Sequence, residues 1–145
     1  MRDLSLDEYR ALAELRYQIR CFLHFSEEQV RASGMEPQQH QLLLAVRGLP
    51  RGAAATVSEL AERLQLKHHS VVELVDRLER RGCVTRNSGS KDRRQVMVHL
   101  TPVGSKVLRR LSLAHHEELE AAGPRLAKAL RSLARQHRAK EKQSA

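Results

Sequence analysis

Leu12, Leu15, Ile19, Phe22, Leu23 and Val30 recur at helical spacing along the N-terminal segment, which predicts an amphipathic helix. Ser5 and Glu8 form the capping box that opens it, Leu4 and Tyr9 take its staple positions, and Gly34 supplies the stop. Tyr17, Cys21 and Phe25, with His24 nearby, fall on the opposite side. A helix apolar on two sides is covered on two sides. Its own domain can supply one cover; the other is most simply a second copy of the chain.

Pro37 at a favoured first position starts a second helix, which runs through Leu42, Leu43, Leu44 and Val46 to Gly48 and Pro50. Thr56 and Glu59 read as another capping box, with Val57, Leu60, Ala61 and Leu64 as the apolar side of a short third helix. A turn at Gln65, Leu66 and Lys67 leads to a fourth helix from about His68 to Arg81, ended by Gly82. Two short helices so joined fit helix-turn-helix geometry.

The period then changes to two. Cys83–Arg86 reads as a strand, Asn87–Asp92 as a polar turn, and Val96, Val98 and Leu100 as the inward side of a second strand. Thr101 and Pro102 cap and open a fifth helix. Gly123-Pro124 is expected to break it, and a sixth helix then carries Leu126, Leu130 and Leu133 inside, with Arg125, Lys128, Arg131, Arg135 and Arg138 outside. The expected fold class is mainly α with a small β-hairpin, and the tail RAKEKQSA is expected to be disordered.

Composition narrows what such a fold does. The net charge is +9, distributed as −1 over residues 1–50, +4 over 51–100 and +6 over 101–145. That asymmetry is an electrostatic footprint for a polyanion. The four aromatic residues, Tyr9, Tyr17, Phe22 and Phe25, all lie outside the basic region. Single-strand and RNA readers stack bases on aromatic platforms, so a double helix is the favoured polyanion. No apolar run reaches the ~20 residues of a membrane span, the N-terminus has no secretory h-region, and two cysteines fit reduced thiols; no membrane partner and a cytoplasmic location are expected. No phosphate loop, nucleophile elbow or His-Glu-x-x-His helix occurs, so no enzyme, catalytic residue or cofactor is expected.

The fourth helix is the main functional candidate. Val71, Leu74, Val75 and Leu78 make one face; His69, Glu73, Asp76, Arg77 and Arg80 point the other way, flanked by Ser70 and Val72. His69 and Ser70 suit base edges in a major groove, Arg77 a guanine or a phosphate, and Glu73 either a cytosine or an orienting role toward Arg77. A solvated charged face is the plainer reading. The hairpin adds Arg80, Arg81, Arg86, Lys91, Arg93 and Arg94 against Asp92 alone. That is the layout of a winged helix, whose tip reaches the adjacent minor groove. Asp92 either orients Arg94 by a charge-assisted hydrogen bond or sits in an ordinary polar turn.

LVDRLERRGCVTR followed by SKDRRQVMVHLTPVG closely resembles the MarR family of bacterial transcription regulators. The family's Asp-x-Arg wing signature falls on Asp92 and Arg94, and its LT-x-x-G helix start on Leu100, Thr101 and Gly104. The resemblance covers about residues 8–138. It implies a single domain over 1–145, with a winged helix-turn-helix lobe at about 37–100, dimerisation helices at about 5–34 and 101–138, and a tail at 139–145. It also implies a homodimer that binds a pseudo-palindromic double-stranded operator, usually represses, and releases DNA on a small aromatic or lipophilic effector, on cysteine oxidation or through a metal. Lys67, His68, His69, Ser70, Glu73, Arg77, Arg86, Lys91, Asp92, Arg93 and Arg94 are the expected DNA-binding residues. Lys67-His68-His69 departs from the family in lacking a small capping residue at the start of the recognition helix.

Tyr17, Cys21, His24, Phe25 and His40 are candidates for an effector pocket, against the plainer reading that each packs the dimer base. Cys21 is expected to be structural. His115 and His116 are adjacent, without the i, i+4 spacing that puts two ligands on one helix face, so no metal is expected. The competing function is a non-enzymatic winged-helix module that binds structured RNA or protein.

Overall fold

The computed structural model describes residues 3–89 and 94–141, with side chains as far as Arg135. Its elements are α1 (Leu6–Ala32), α2 (Pro37–Arg47), α3 (Val57–Leu64), α4 (His68–Arg80), β1 (Val84–Ser88), β2 (Val96–Leu100) and α5 (Pro102–Glu141). The fold is a winged helix, mostly helical with a two-stranded antiparallel hairpin. The chain divides into two compact units, residues 29–112 and residues 1–28 with 113–145.

The unit over 29–112 has a closed apolar core. Leu42 and Leu43 of α2, Leu60 of α3, Val71, Val75 and Leu78 of α4, and Val84 and Val98 of the hairpin are almost wholly buried in one cluster. Gly34 sits at φ +75° in the left-handed region after α1. Its amide donates to the Arg31 carbonyl, and that of Met35 to Val30, closing the helix with paired bonds. Pro37 is at the first position of α2, where Glu36 and Gln39 make a capping box that the sequence reading did not anticipate. At α3 only half of the expected box forms. The Glu59 amide donates to Thr56 Oγ1, but the Glu59 carboxylate accepts from Arg63 Nε at 2.8 Å. A cation one turn along competes better for that carboxylate than a backbone amide does.

The hairpin is longer than expected. Asn87 and Ser88 pair with Met97 and Val96, so β1 extends into the segment expected to turn. Val98 is buried as predicted, while Val96 is exposed. Beyond the hairpin, the Val98 amide donates to the Ala55 carbonyl and Thr56 bridges Met97. The polar groups on the second edge of β2 thus find partners in the loop before α3.

The Thr101-Pro102 start of α5 is built as expected. Thr101 Oγ1 accepts from the Gly104 amide at 3.1 Å and donates to the Gly82 carbonyl at 2.6 Å. Gly104 lies so close to the Cys83 backbone that a side-chain carbon there would collide with the Cys83 carbonyl. The glycine of the LT-x-x-G motif is therefore required by contact, at a residue whose backbone is ordinary.

In the other unit the Ser5–Glu8 box forms in both directions, at 2.7 and 3.3 Å. Ala11 and Ala129 are buried, and His115 packs edge-on against Phe22 and Phe25, with centroids 6.5 and 6.3 Å away. The expected break at Gly123-Pro124 does not occur: α5 passes through Pro124. A proline inside a helix costs ~3 kcal/mol, but buried residues on both sides of it, His115 and Ala129, tie the two halves into one helix. Among the described residues there is thus no sixth helix. Leu130, expected inside, is 58% exposed. Of the tail expected at 139–145, residues 139–141 continue α5 and 142–145 lie outside the described residues.

Candidate nucleic-acid interface

α3 and α4 are joined through Gln65, which adopts φ +52°, a left-handed backbone that only glycine accepts without strain. The Leu66 amide donates to the Ala61 carbonyl and Gln65 Nε2 to Glu62, which holds the turn tight. α4 then presents the two faces its sequence predicts. Val71, Leu74, Val75 and Leu78 are buried; His68, His69, Glu73, Arg77 and Arg80 are exposed, and Ser70 is half-buried. Lys67 occupies the N-cap without a side-chain capping bond. The first turn of α4 therefore combines a lysine, two histidines and a serine on an accessible helix start.

Arg86 is placed differently from expectation. It stands on β1, yet its guanidinium turns to α4 and forms two ion pairs, Nη1 with Asp76 Oδ1 at 2.6 Å and Nη2 with Glu79 Oε2 at 2.7 Å. Hydrogen bonding to Glu79, followed by the charges of both acids, raises the Arg86 pKa above its already high value against a desolvation penalty. Arg81, counted in the basic cluster, is also engaged. It donates to the Gly34 carbonyl at 2.7 Å and to Gln39 Oε1 at 3.4 Å. A cation at a helix C-terminus neutralises unpaired carbonyls.

Arg94 is exposed beside β2. With Arg86, His68, Ser58 and Gln95 it lines a cleft of about 250 Å³, together with Val57, Val72 and Val75. Lys91, Asp92 and Arg93 lie outside the described residues, and so does the expected pairing of Asp92 with Arg94.

The five effector candidates do not form one constellation within either unit. Tyr17, Cys21 and His24 are exposed, and Phe25 is half-buried against His115. His40 is buried and belongs to the unit of residues 29–112. His24 Nε2 lies 3.3 Å from Glu28, and the phenol of Tyr17 is raised above its usual pKa first by a hydrogen bond with Cys21. His115 and His116 serve different partners, the two phenylalanines and Glu120. Sequence reading missed the acids that hold Arg86. The available signal was Asp76 and Glu79 three apart on the helix that leads, through one glycine turn, into the strand of Arg86.

The MarR family profile matches residues 33–95. The chain is 32% identical over 123 residues, 79% of its length and 77% of the relative's, to YkoM, an uncharacterized HTH-type transcriptional regulator of Bacillus subtilis. It is 34% identical over 77 residues to the HTH-type transcriptional repressor MdtR of the same organism, covering 53% of this chain and 48% of MdtR. The chain spans about half the length of MdtR and of another curated relative. Among solved structures, the MarR family regulator Sco3205 of Streptomyces coelicolor, in complex with DNA, superposes with a TM-score of 0.72 at 24% identity. That match covers 93% of this chain and 88% of Sco3205.

Proposed function

The chain belongs to the MarR family of transcriptional regulators, and from that membership we propose that it is a sequence-specific regulator that binds double-stranded DNA. The observation that carries the reading is the accessible face of α4. Lys67 stands at the N-cap of, and His68, His69, Ser70, Glu73 and Arg77 lie on, the second helix of a helix-turn-helix, directly before a β-hairpin. In the major groove the first turn of such a helix meets base edges, and Arg77, further along, meets a guanine or a phosphate. Arg94 of the wing takes the adjacent minor groove, oriented by Asp92, and Arg93 meets a phosphate. On this reading residues 37–100 form the DNA-binding lobe.

The protein acts as a homodimer through residues 5–34 and 101–138. Leu6, Tyr9, Leu12, Tyr17, Leu23, Leu113 and Leu130 are exposed large apolar side chains on α1 and α5, the surface a second chain would cover. It represses from a pseudo-palindromic operator and is released by a small lipophilic or aromatic effector. It works in the cytoplasm; no helix among the described residues is long and apolar enough to cross a membrane.

The test is fluorescence anisotropy on a labelled duplex carrying the promoter upstream of its own gene. Neutralising roughly six to ten phosphates makes affinity fall by roughly 10³–10⁵ between 50 and 200 mM salt. Promoter binding no tighter than binding to a scrambled duplex would sink sequence specificity, and a curve flat in salt would sink the electrostatic footprint.

A further inference from the structure

We propose that Arg86 is a positioning residue of the DNA interface and not a DNA contact: it clamps the root of the wing to the recognition helix by spanning Asp76 and Glu79. The inference rests on the DNA-binding reading above. Three observations carry it. Nη1 and Nη2 of the guanidinium engage two different carboxylates at 2.6 and 2.7 Å, so the fork is oriented toward α4 within the protein. The acids are three residues apart on α4, and the arginine is on β1. The pair of bonds therefore joins two elements instead of decorating one. Arg86 also lies opposite Val98, whose amide is tied to Ala55, so both strands of the hairpin are anchored at the same level.

The chemistry suits this role. A guanidinium presents donors in a rigid planar fork, which fixes direction as well as distance; an ammonium does not. All three side chains remain 36–41% exposed, so the clamp adds little to global stability. Its effect falls on where the wing points. Compensation is a second effect. Asp76 and Glu79 stand on the same helix as Arg77 and Arg80, and Arg86 cancels carboxylates that would otherwise repel phosphate.

The experiment compares wild type, Arg86→Ala, Asp76→Ala/Glu79→Ala and the triple variant. Each is read by promoter-duplex affinity across a salt series and by amide hydrogen exchange of β1 and β2. We expect Arg86→Ala to weaken binding roughly three- to tenfold without changing the slope of log affinity against log salt, and to speed hairpin exchange while α4 stays protected. In the Asp76→Ala/Glu79→Ala background, removing Arg86 should change hairpin exchange no further, because the interaction is already gone. A salt slope shallower by about 0.9 for each Arg86 removed would mean that Arg86 meets phosphate, and would overturn the proposal. Equal loss of hairpin protection in both backgrounds would overturn it too. If wild type fails to prefer the promoter, the DNA reading fails separately, and hairpin exchange still decides whether the clamp exists.

Discussion

Between residues 29 and 112 the largest buried side chains are Leu42, Leu43, Leu60 and Leu78, each at 0% exposure. Between 3–28 and 113–135 the buried set is Glu8, Ala11, Ser26, His115 and Ala129, small or polar side chains. Among the described residues, nine of the twelve exposed large apolar side chains lie in that second unit. The two regions use their apolar residues differently. One encloses them and gains the transfer free energy within a single chain. The other buries only small or polar side chains and leaves most of its leucines and tyrosines facing out. That exposed apolar surface is the physical basis for proposing a dimer.

Substitutions that break this comparison begin in the closed core. Leu60→Ala removes a fully buried side chain and should cost about 2–5 kcal/mol, read as a lower denaturation midpoint whose shift from wild type is the same at every protein concentration. Gly104→Ala comes next. The added carbon meets the Cys83 backbone, which cannot swing aside as a side chain would. About 1–3 kcal/mol of destabilisation is expected, again as a shift from wild type that does not change with concentration.

Leu130→Ala sharpens the contrast. Leu130 is more than half exposed in the single chain, so truncation should leave an isolated chain's stability unchanged. If a partner covers it, dimer affinity falls by about 1.5–3 kcal/mol, and thermal stability becomes more dependent on concentration. Sedimentation equilibrium decides; an unchanged dimer dissociation constant would move the interface elsewhere. Thr101→Ala is smaller, about 1 kcal/mol, because it removes the cap on α5 and the bond to Gly82. Gln65→Gly should be smallest and opposite in sign. It relieves a left-handed backbone but adds chain entropy to the unfolded state, leaving a gain of a few tenths of a kcal/mol, measurable by urea titration.

What the amino-acid sequence determined by itself was local. The Ser5–Glu8 box, the Thr56 cap, the glycine stops at Gly34 and Gly82, and the buried and open faces of α4 all follow from partners within a few residues. Such contacts exist as soon as a helical turn does. The hairpin and the helix-turn-helix were legible for the same reason, and so was the exposed first turn of α4. Tertiary structure decided the rest. Pro124 stays within α5 because packed residues flank it. Ala55 and Thr56 add to the hairpin because the loop before α3 lies against β2. Arg81 leaves the basic surface for the end of α1, 47 residues away in sequence, and Arg86 leaves it for Asp76 and Glu79. A charged side chain in sequence specifies a reach and a sign. Which opposite charge or carbonyl lies within that reach is set by how distant segments pack, and no periodicity along the chain encodes it.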